Sequence, residues 1–452
     1  MNKIKTLSAL LALTLAAASH AATTRDTWVV NDVYNYNHIY ATTDSADLAT
    51  KMSTMNSSAY SFYRGTADIF FHDMTTLPAS AYANSATAHT WIGGDTHIGN
   101  FGAWQDSAGK AVFGVNDYDT GYLGQYVWDL RRAATSVVLA GRENGIKDAD
   151  ITTAINTLVT AYLTQLGAFN GSSTEKTFQL TTSNTSSVVK DVISAAAEDK
   201  RSDLLAKYST VSSSKRTFLT SSTLVKPGTA TYNAVVAAVA TYVSTISSGK
   251  QYAASFYTVK DVRQKLGSGT GSLGRLRYYA LLEGPSTSTS DDVIIELKQE
   301  ATSDVAIANP AGLSTGDYAN NEGDRVARTA KALVLNADVL IGYTSINGVP
   351  YYVHEKSPFA EDFDYTDLSS ASKLNTAMTY IGQALASAHA LADQDYDSSV
   401  VPYAIETEIL NAVTSQAGLK TELVNFAFGY ADQVNLDWAS FKKAYAAGTP
   451  LY

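Results

Sequence analysis

Apolar residues recur at helical spacing from Asp148 to Leu166, where Ile151, Ile155, Leu158, Val159, Tyr162 and Leu166 share a face and Asp148 is placed to cap. Similar spacing predicts helices from Trp128 to Leu139, Ser187 to Lys207, Ala230 to Ser247, Glu322 to Ala337 and Leu374 to Ala392. Two or more helices are expected over Val401 to Tyr445. From Thr23 to Thr90 little period is visible, and the aromatic run Tyr60 to His72 reads as a strand or a buried run. Strand-like alternation appears at Ala111 to Val115 and then dominates from Tyr257 onward. Its runs are Tyr257 to Gln264, Arg275 to Glu283, Asp292 to Lys298, and the pair Asp338 to Tyr343 and Val349 to His354. Asn347-Gly348 between the last two is a favoured hairpin turn. The pattern predicts an α+β protein: helices, a small antiparallel sheet, then more helices.

At 452 residues the chain exceeds one ordinary core. The Ser/Thr-rich stretch Asn170 to Ser222 reads as a surface insertion. A net charge of −10 excludes non-specific nucleic-acid binding, which needs a basic surface. Absence of cysteine excludes thiolate metal sites, disulfides and cysteine nucleophiles. Lys3 and Lys5, the apolar run Leu7 to Ala18 and Ser19-His20-Ala21 predict a signal peptide cleaved near Ala21, and hence export to the periplasm or beyond. No segment approaches the roughly 20 apolar residues a transmembrane helix needs.

The chemistry concentrates between Trp91 and Arg132. Asp95 and Asn100 have the spacing D-x-x-x-x-N, which in kinase-type phosphotransferases pairs a base for the acceptor hydroxyl with an amide that holds a metal. His97, within the motif, is placed to orient Asp95, contact a phosphate or brace the loop, and joins Asp95 as a catalytic candidate. Asp117 follows a strand, where a Mg²⁺ carboxylate belongs, and Asp119 is a second metal candidate. Magnesium takes few protein oxygens besides phosphate and water, so this sparse set suits it.

The run Gly269-Thr270-Gly271-Ser272-Leu273-Gly274 is a G-x-G-x-x-G lying between strands rather than opening a helix. That disfavours a dinucleotide turn and favours a hairpin whose glycines, Gly269, Gly271 and Gly274, let backbone approach nucleotide phosphates. Lys298, closing an apolar strand, is the phosphate-pairing candidate, with Glu300 or Glu322 as its carboxylate partner. Arg64, inside an aromatic run, calls for an anionic partner, and a structural salt bridge is the expected one. His38, His72, His89 and His354 read as packing or surface residues and His389 as a satisfied core histidine. No zinc spacing and no G-x-S-x-G elbow is present.

Phe62 to Gly65 (FYRG), Gly93 to Gly102 (GGDTHIGNFG), Val115 to Gly121 (VNDYDTG) and Trp128 to Arg132 (WDLRR) together resemble the bacterial domain of unknown function 2252. So do Gly267 to Tyr278, Glu296 to Ala301 (ELKQEA) and Leu385 to Asp393 (LASAHALAD). That family is related to the protein-kinase-like and aminoglycoside-phosphotransferase-like superfamily. The resemblance implies a two-lobed kinase-like fold that binds ATP and Mg²⁺. Asp95 would be the catalytic-loop aspartate, Asn100 and Asp117 metal ligands, Lys298 the phosphate anchor, and Asp129 the buried aspartate tying a helix back to the catalytic loop. In ordinary kinases the glycine loop precedes the catalytic loop; here Asp95 comes before Gly269. The order implies circular permutation. Residues 22–255 would begin the helical lobe, 256–358 would form the nucleotide-type β lobe, and 359–452 would complete the helical lobe.

The function expected is Mg²⁺-dependent phosphoryl transfer from a nucleotide to an unknown hydroxyl acceptor, or nucleotide binding. The alternative is a non-catalytic pseudokinase-like binding protein of the cell envelope, suggested by the scarcity of ATP outside the cytoplasm. A metal-dependent phosphohydrolase is third.

Overall fold

Helices and antiparallel strands segregate along the chain in a computed structural model that describes residues 22–267 and 269–452. The expected signal peptide, residues 1–21, lies outside the described residues. The first helices are α1 (Ala22–Asn37), α2 (Ser45–Ser57), α3 (Ala59–Arg64) and α4 (Ala67–Met74). The last two cover Tyr60 to His72, the run expected as a strand or a buried run; it is helical and mostly buried. Phe62, Tyr63, Ile69, Phe70 and Phe71 are all buried, and a helix buried all round shows no amphipathic period. Ser58 starts α3 by accepting the Ser61 N–H at 3.0 Å.

Four short strands follow, β1 (Thr90–Ile92), β2 (Phe101–Gln105), β3 (Ala111–Val115) and β4 (Tyr122–Gly124), with β1 paired to β4 and β2 to β3. Helices α5 (Tyr126–Glu143) and α6 (Asp148–Phe169) match their apolar periods. Asp148 is not the cap but the first helical residue, and its carboxylate pairs with Arg142 at 3.1 Å. The Ser/Thr-rich stretch is more than a surface insertion, because Leu180, Val188, Val189, Ile193 and Ala196 belong to the main core. Its helix breaks at Asp199-Lys200 into α7 (Ser187–Glu198) and α8 (Arg201–Tyr208).

Next come β5 (Ser209–Ser212), β6 (Lys215–Phe218), β7 (Leu224–Val225), α9 (Thr229–Tyr242), β8 (Val259–Lys265), β9 (Arg277–Leu282) and β10 (Val293–Gln299). The short α10 (Val305–Ala308) and α11 (Glu322–Leu333) lead into β11 (Gly342–Ile346), β12 (Val349–Glu355) and β13 (Ala360–Asp362). Asn347 and Gly348 turn the last hairpin with φ of +53° and +81°, as a tight turn of this hand requires. Its first strand starts later than Asp338, which instead accepts the N–H groups of Leu340 and Glu355. The chain closes with α12 (Ala371–Leu391), α13 (Gln394–Asp397), α14 (Ile405–Ala412) and α15 (Gln416–Ala446).

The largest core joins the helices to the small strands β1 to β4. Helices α6 and α12 pack along each other, and Gly382 permits this: a Cβ there would lie 2.5 Å from the Leu158 carbonyl oxygen. A second core lies between α9 and a six-stranded antiparallel sheet ordered β11-β12-β10-β9-β8-β7. Val262, Ile295, Leu297 and Val353 are fully buried in it, each contributing roughly 1.5–3 kcal/mol of hydrophobic stabilisation. The helical body and this sheet are joined through β13, which follows β12 and pairs with β2. The result is a mixed α+β architecture. Among the described residues no helix is long and apolar enough to cross a membrane.

Candidate functional site

Side chains alternate across a strand, and the sheet uses this period to build a polar floor. On β10, Val293, Ile295 and Leu297 enter the core against α9, so Glu296 and Lys298 face the other way. Register places Glu296 between Tyr279 and His354, and Lys298 between Arg277 and Tyr352. All six line a cleft of about 860 Å³ whose opposite wall carries Asp95, His97, Asn100 and the segment Asn116 to Thr120. Gly269, Gly271 and Ser272 reach the same cleft from the β8–β9 connection. Of the expected catalytic, metal-binding and phosphate-binding residues, all but Gly274 line it; Glu300, Glu322 and Asp129 do not. Gly274 (φ +96°) packs instead on α2, where a Cβ would meet Leu48 Cδ2 at 2.7 Å.

The loop carrying Asp95 is fixed from beneath by α5. Asp129 accepts the N–H groups of Gly93 and Gly94 at 2.9 and 2.8 Å and that of His389 Nε2 at 3.1 Å. The His389 Nδ1 lies 2.8 Å from the Tyr162 hydroxyl, so this core histidine is satisfied on both sides. A carboxylate only accepts, which puts the proton of a neutral His389 on Nε2. From the next turn of α5, Arg132 donates to Asp95 Oδ1 at 2.7 Å and to the Tyr63 carbonyl at 2.8 Å, its guanidinium lying 3.7 Å above the Tyr63 ring. The Asn100 amide donates to the Asp95 carbonyl at 2.8 Å, which orients its oxygen as an acceptor.

His97 accepts the Gly99 N–H at Nδ1, 3.1 Å away, and presents Nε2 to Asp95 Oδ2 at 3.6 Å, beyond hydrogen-bond range. Burial, with the charges of Arg64 and Arg132, holds its pKa well below the usual histidine value. The ring is therefore neutral at physiological pH, with its proton directed at Asp95.

Lys298 pairs with Asp119 and lies 3.8 Å from Asp117. These aspartates, rather than Glu300 or Glu322, are its carboxylate partners; Glu322 is paired with Arg325 at 2.5 Å. Burial works against the ammonium, but the two aspartates outweigh it and hold Lys298 above the ordinary lysine range. The Asp117 side chain is 41% exposed in the cleft, and its pKa is pushed up to about 6 by desolvation and then by Asp119. Asp119 is held below its usual value despite burial, chiefly by Lys298 and Arg275.

Asn100, Asp117 and Asp119 offer hard oxygen donors. No group of three or more His, Cys, Asp or Glu placed to hold a metal is found among the described residues. An amide and two carboxylates are the donor type that Mg²⁺ takes alongside water and phosphate oxygens.

The glycine connection is tied to the helical body at two points. Buried Lys51 on α2 donates to the Gly271 carbonyl at 3.0 Å, and Asp47 accepts the Gly267 N–H at 2.9 Å. Sequence reading missed Lys51, and it missed His354, which donates to Glu296 at 3.1 Å on the cleft floor. Strand alternation was the available signal for His354, since it shares a face with Tyr352. Arg64 also lines the cleft, and among the described residues it forms no salt bridge. That expectation is corrected: helix α3 ends with the guanidinium beside Tyr60 rather than beside an acid.

Fold and site together define an α+β protein with a charged cleft between a helical body and an antiparallel sheet. The chain belongs to the family described as an uncharacterised protein conserved in bacteria, DUF2252, whose model matches residues 44–444. No curated protein and no solved structure matches it.

Proposed function

We propose that the protein is an exported kinase-like phosphotransferase or nucleotide-binding protein, built on a circularly permuted two-lobed kinase-like fold. The observation that carries the reading is the meeting of Asp95, Asn100 and Asp117 with Lys298 and the glycine connection in one cleft, from segments far apart in sequence. Asp95, held by Arg132 and facing His97, accepts the proton of an acceptor hydroxyl. Lys298, together with backbone of the glycine connection, holds donor phosphates. Asn100, Asp117 and Asp119 would hold Mg²⁺, which when bound neutralises phosphate charge. The protein's part is then positioning and electrostatic stabilisation.

Thermal-shift titration of the full chain with ATP, with and without Mg²⁺, tests this. A Mg²⁺-dependent shift that Asp117→Ala abolishes and Asp95→Ala spares is expected, with turnover lost in Asp95→Ala. Absence of a shift with any nucleotide would refute it. A second reading, a non-catalytic envelope-binding protein, is favoured by the closure of Lys298 against Asp119, which competes with phosphate. That protein would show no Mg²⁺ dependence.

A further inference from the structure

The cleft holds several guanidinium groups, and their partners differ. Arg277 has Glu296 at 3.0 Å, and Arg275 has the Tyr36 hydroxyl at 3.1 Å and Glu300 at 3.9 Å. Behind the wall, Arg132 has Asp95. Arg64 has none of these. Its Nε is shielded from water without a hydrogen-bond partner, and no carboxylate among the described residues lies within ion-pair distance. The side chain is only partly buried, so its remaining N–H groups stay open to the cleft, and a guanidinium is a planar fork of five donors matched to carboxylate or phosphate oxygens.

Arg64 is the last residue of α3 and lines the cleft, and Gly65, which caps the helix, packs against Met55 so closely that a Cβ there would lie 2.7 Å from it. The guanidinium carbon sits 5.9 Å from the Tyr60 ring centroid, and Tyr60 packs edge-on against His97. The Tyr365 ring lies 4.1 Å from that of Tyr60. Through Tyr60 and His97 the guanidinium stands on the Asp95 side of the cleft. In an acid-rich chain of net charge −10, a cleft guanidinium without an acidic partner among the described residues leaves room for an anion from outside.

We propose that Arg64 anchors an anionic group, a carboxylate or a phosphate, of the molecule that binds beside Asp95 and His97. This rests on the phosphotransferase reading only in naming that molecule the acceptor; the anion site itself does not depend on it. The acceptor then bears a hydroxyl for Asp95 and, a few bonds away, a negative group for Arg64.

Arginine modification by phenylglyoxal, mapped by mass spectrometry on the full chain, tests the site directly. Arg64 is expected to react faster than the paired Arg132, Arg275 and Arg277. Inorganic phosphate or malonate in the buffer slows Arg64 by about tenfold or more, the discrimination expected of a charge-assisted bidentate contact. Protection by phosphate alone assigns a phosphate group, and protection by malonate alone a carboxylate. The protection survives in Asp117→Ala and Lys298→Met, so it stands even when nucleotide binding fails. The anion-induced thermal shift disappears in Arg64→Gln and is partly kept in Arg64→Lys. Unprotected Arg64 in the wild-type chain, or protection lost with Lys298→Met, would overturn the proposal.

Discussion

Replacing Asp129 tests the support beneath the candidate site without reference to any ligand. One carboxylate accepts three donors: the Gly93 and Gly94 N–H groups and the His389 Nε2 proton. Asp129 is 1% exposed and His389 fully buried. Alanine leaves all three donors unpaired, at about 1–3 kcal/mol each, so a loss of roughly 3–9 kcal/mol is expected. Set against a total of about 5–15 kcal/mol, the substitution brings the helical body near its limit. Asparagine keeps one acceptor oxygen and turns an amide toward a donor, and its loss is about half as large. Urea unfolding followed by tryptophan fluorescence measures this cleanly. Trp28, Trp91, Trp104, Trp128 and Trp438 all lie outside the six-stranded sheet, so the signal reports the helical body. An Asp129→Ala midpoint equal to wild type would refute the reasoning, because it would mean that the triple acceptor carries no net stability.

Lys51 has its pKa lowered to about 8 by burial, with Arg275 adding to the shift and Asp68 and Asp304 opposing it. The unfolded chain keeps that proton up to the usual 10.5, so stability should rise with pH between about 8 and 10.5, by at most roughly 3 kcal/mol. Comparing urea midpoints of wild type and Lys51→Met across that window isolates the effect, and parallel curves would contradict it. Gly323 on α11 has no room for a side chain, since a Cβ would lie 2.2 Å from the Tyr351 carbonyl oxygen. Gly323→Ala should push α11 off β12 and speed amide exchange along β12 by at least about tenfold, with unchanged exchange counting against it.

What was legible in the sequence was local. The Asn347-Gly348 turn, the strand ending near Lys298 and the helices α5, α6 and α12 each follow from a period or a turn dipeptide that needs no distant partner. Aromatic crowding hid α3 and α4, because both are buried on nearly every face. The acidic motif around Asp95 could be singled out, but its wiring could not. Asp129 meets His389 across 260 positions, and Lys298 meets Asp119 from another part of the chain. Arg64 shows the same limit from the other side: a cation in an aromatic run demands an anion, yet only the folded arrangement reveals that none of the described residues supplies it.

The alternation along β10 constrains how this cleft can change. Glu296 and Lys298 owe their place on the floor to a spacing of two, counted against Tyr279, Arg277, Tyr352 and His354 on the neighbouring strands. Shifting β10 by a single residue would turn Ile295 and Leu297 into the cleft and drive Glu296 and Lys298 into the core against α9. Point substitutions can therefore retune the floor one charge at a time. Insertion or deletion within β10 cannot, since it would exchange the polar and apolar faces together and cost the sheet its core.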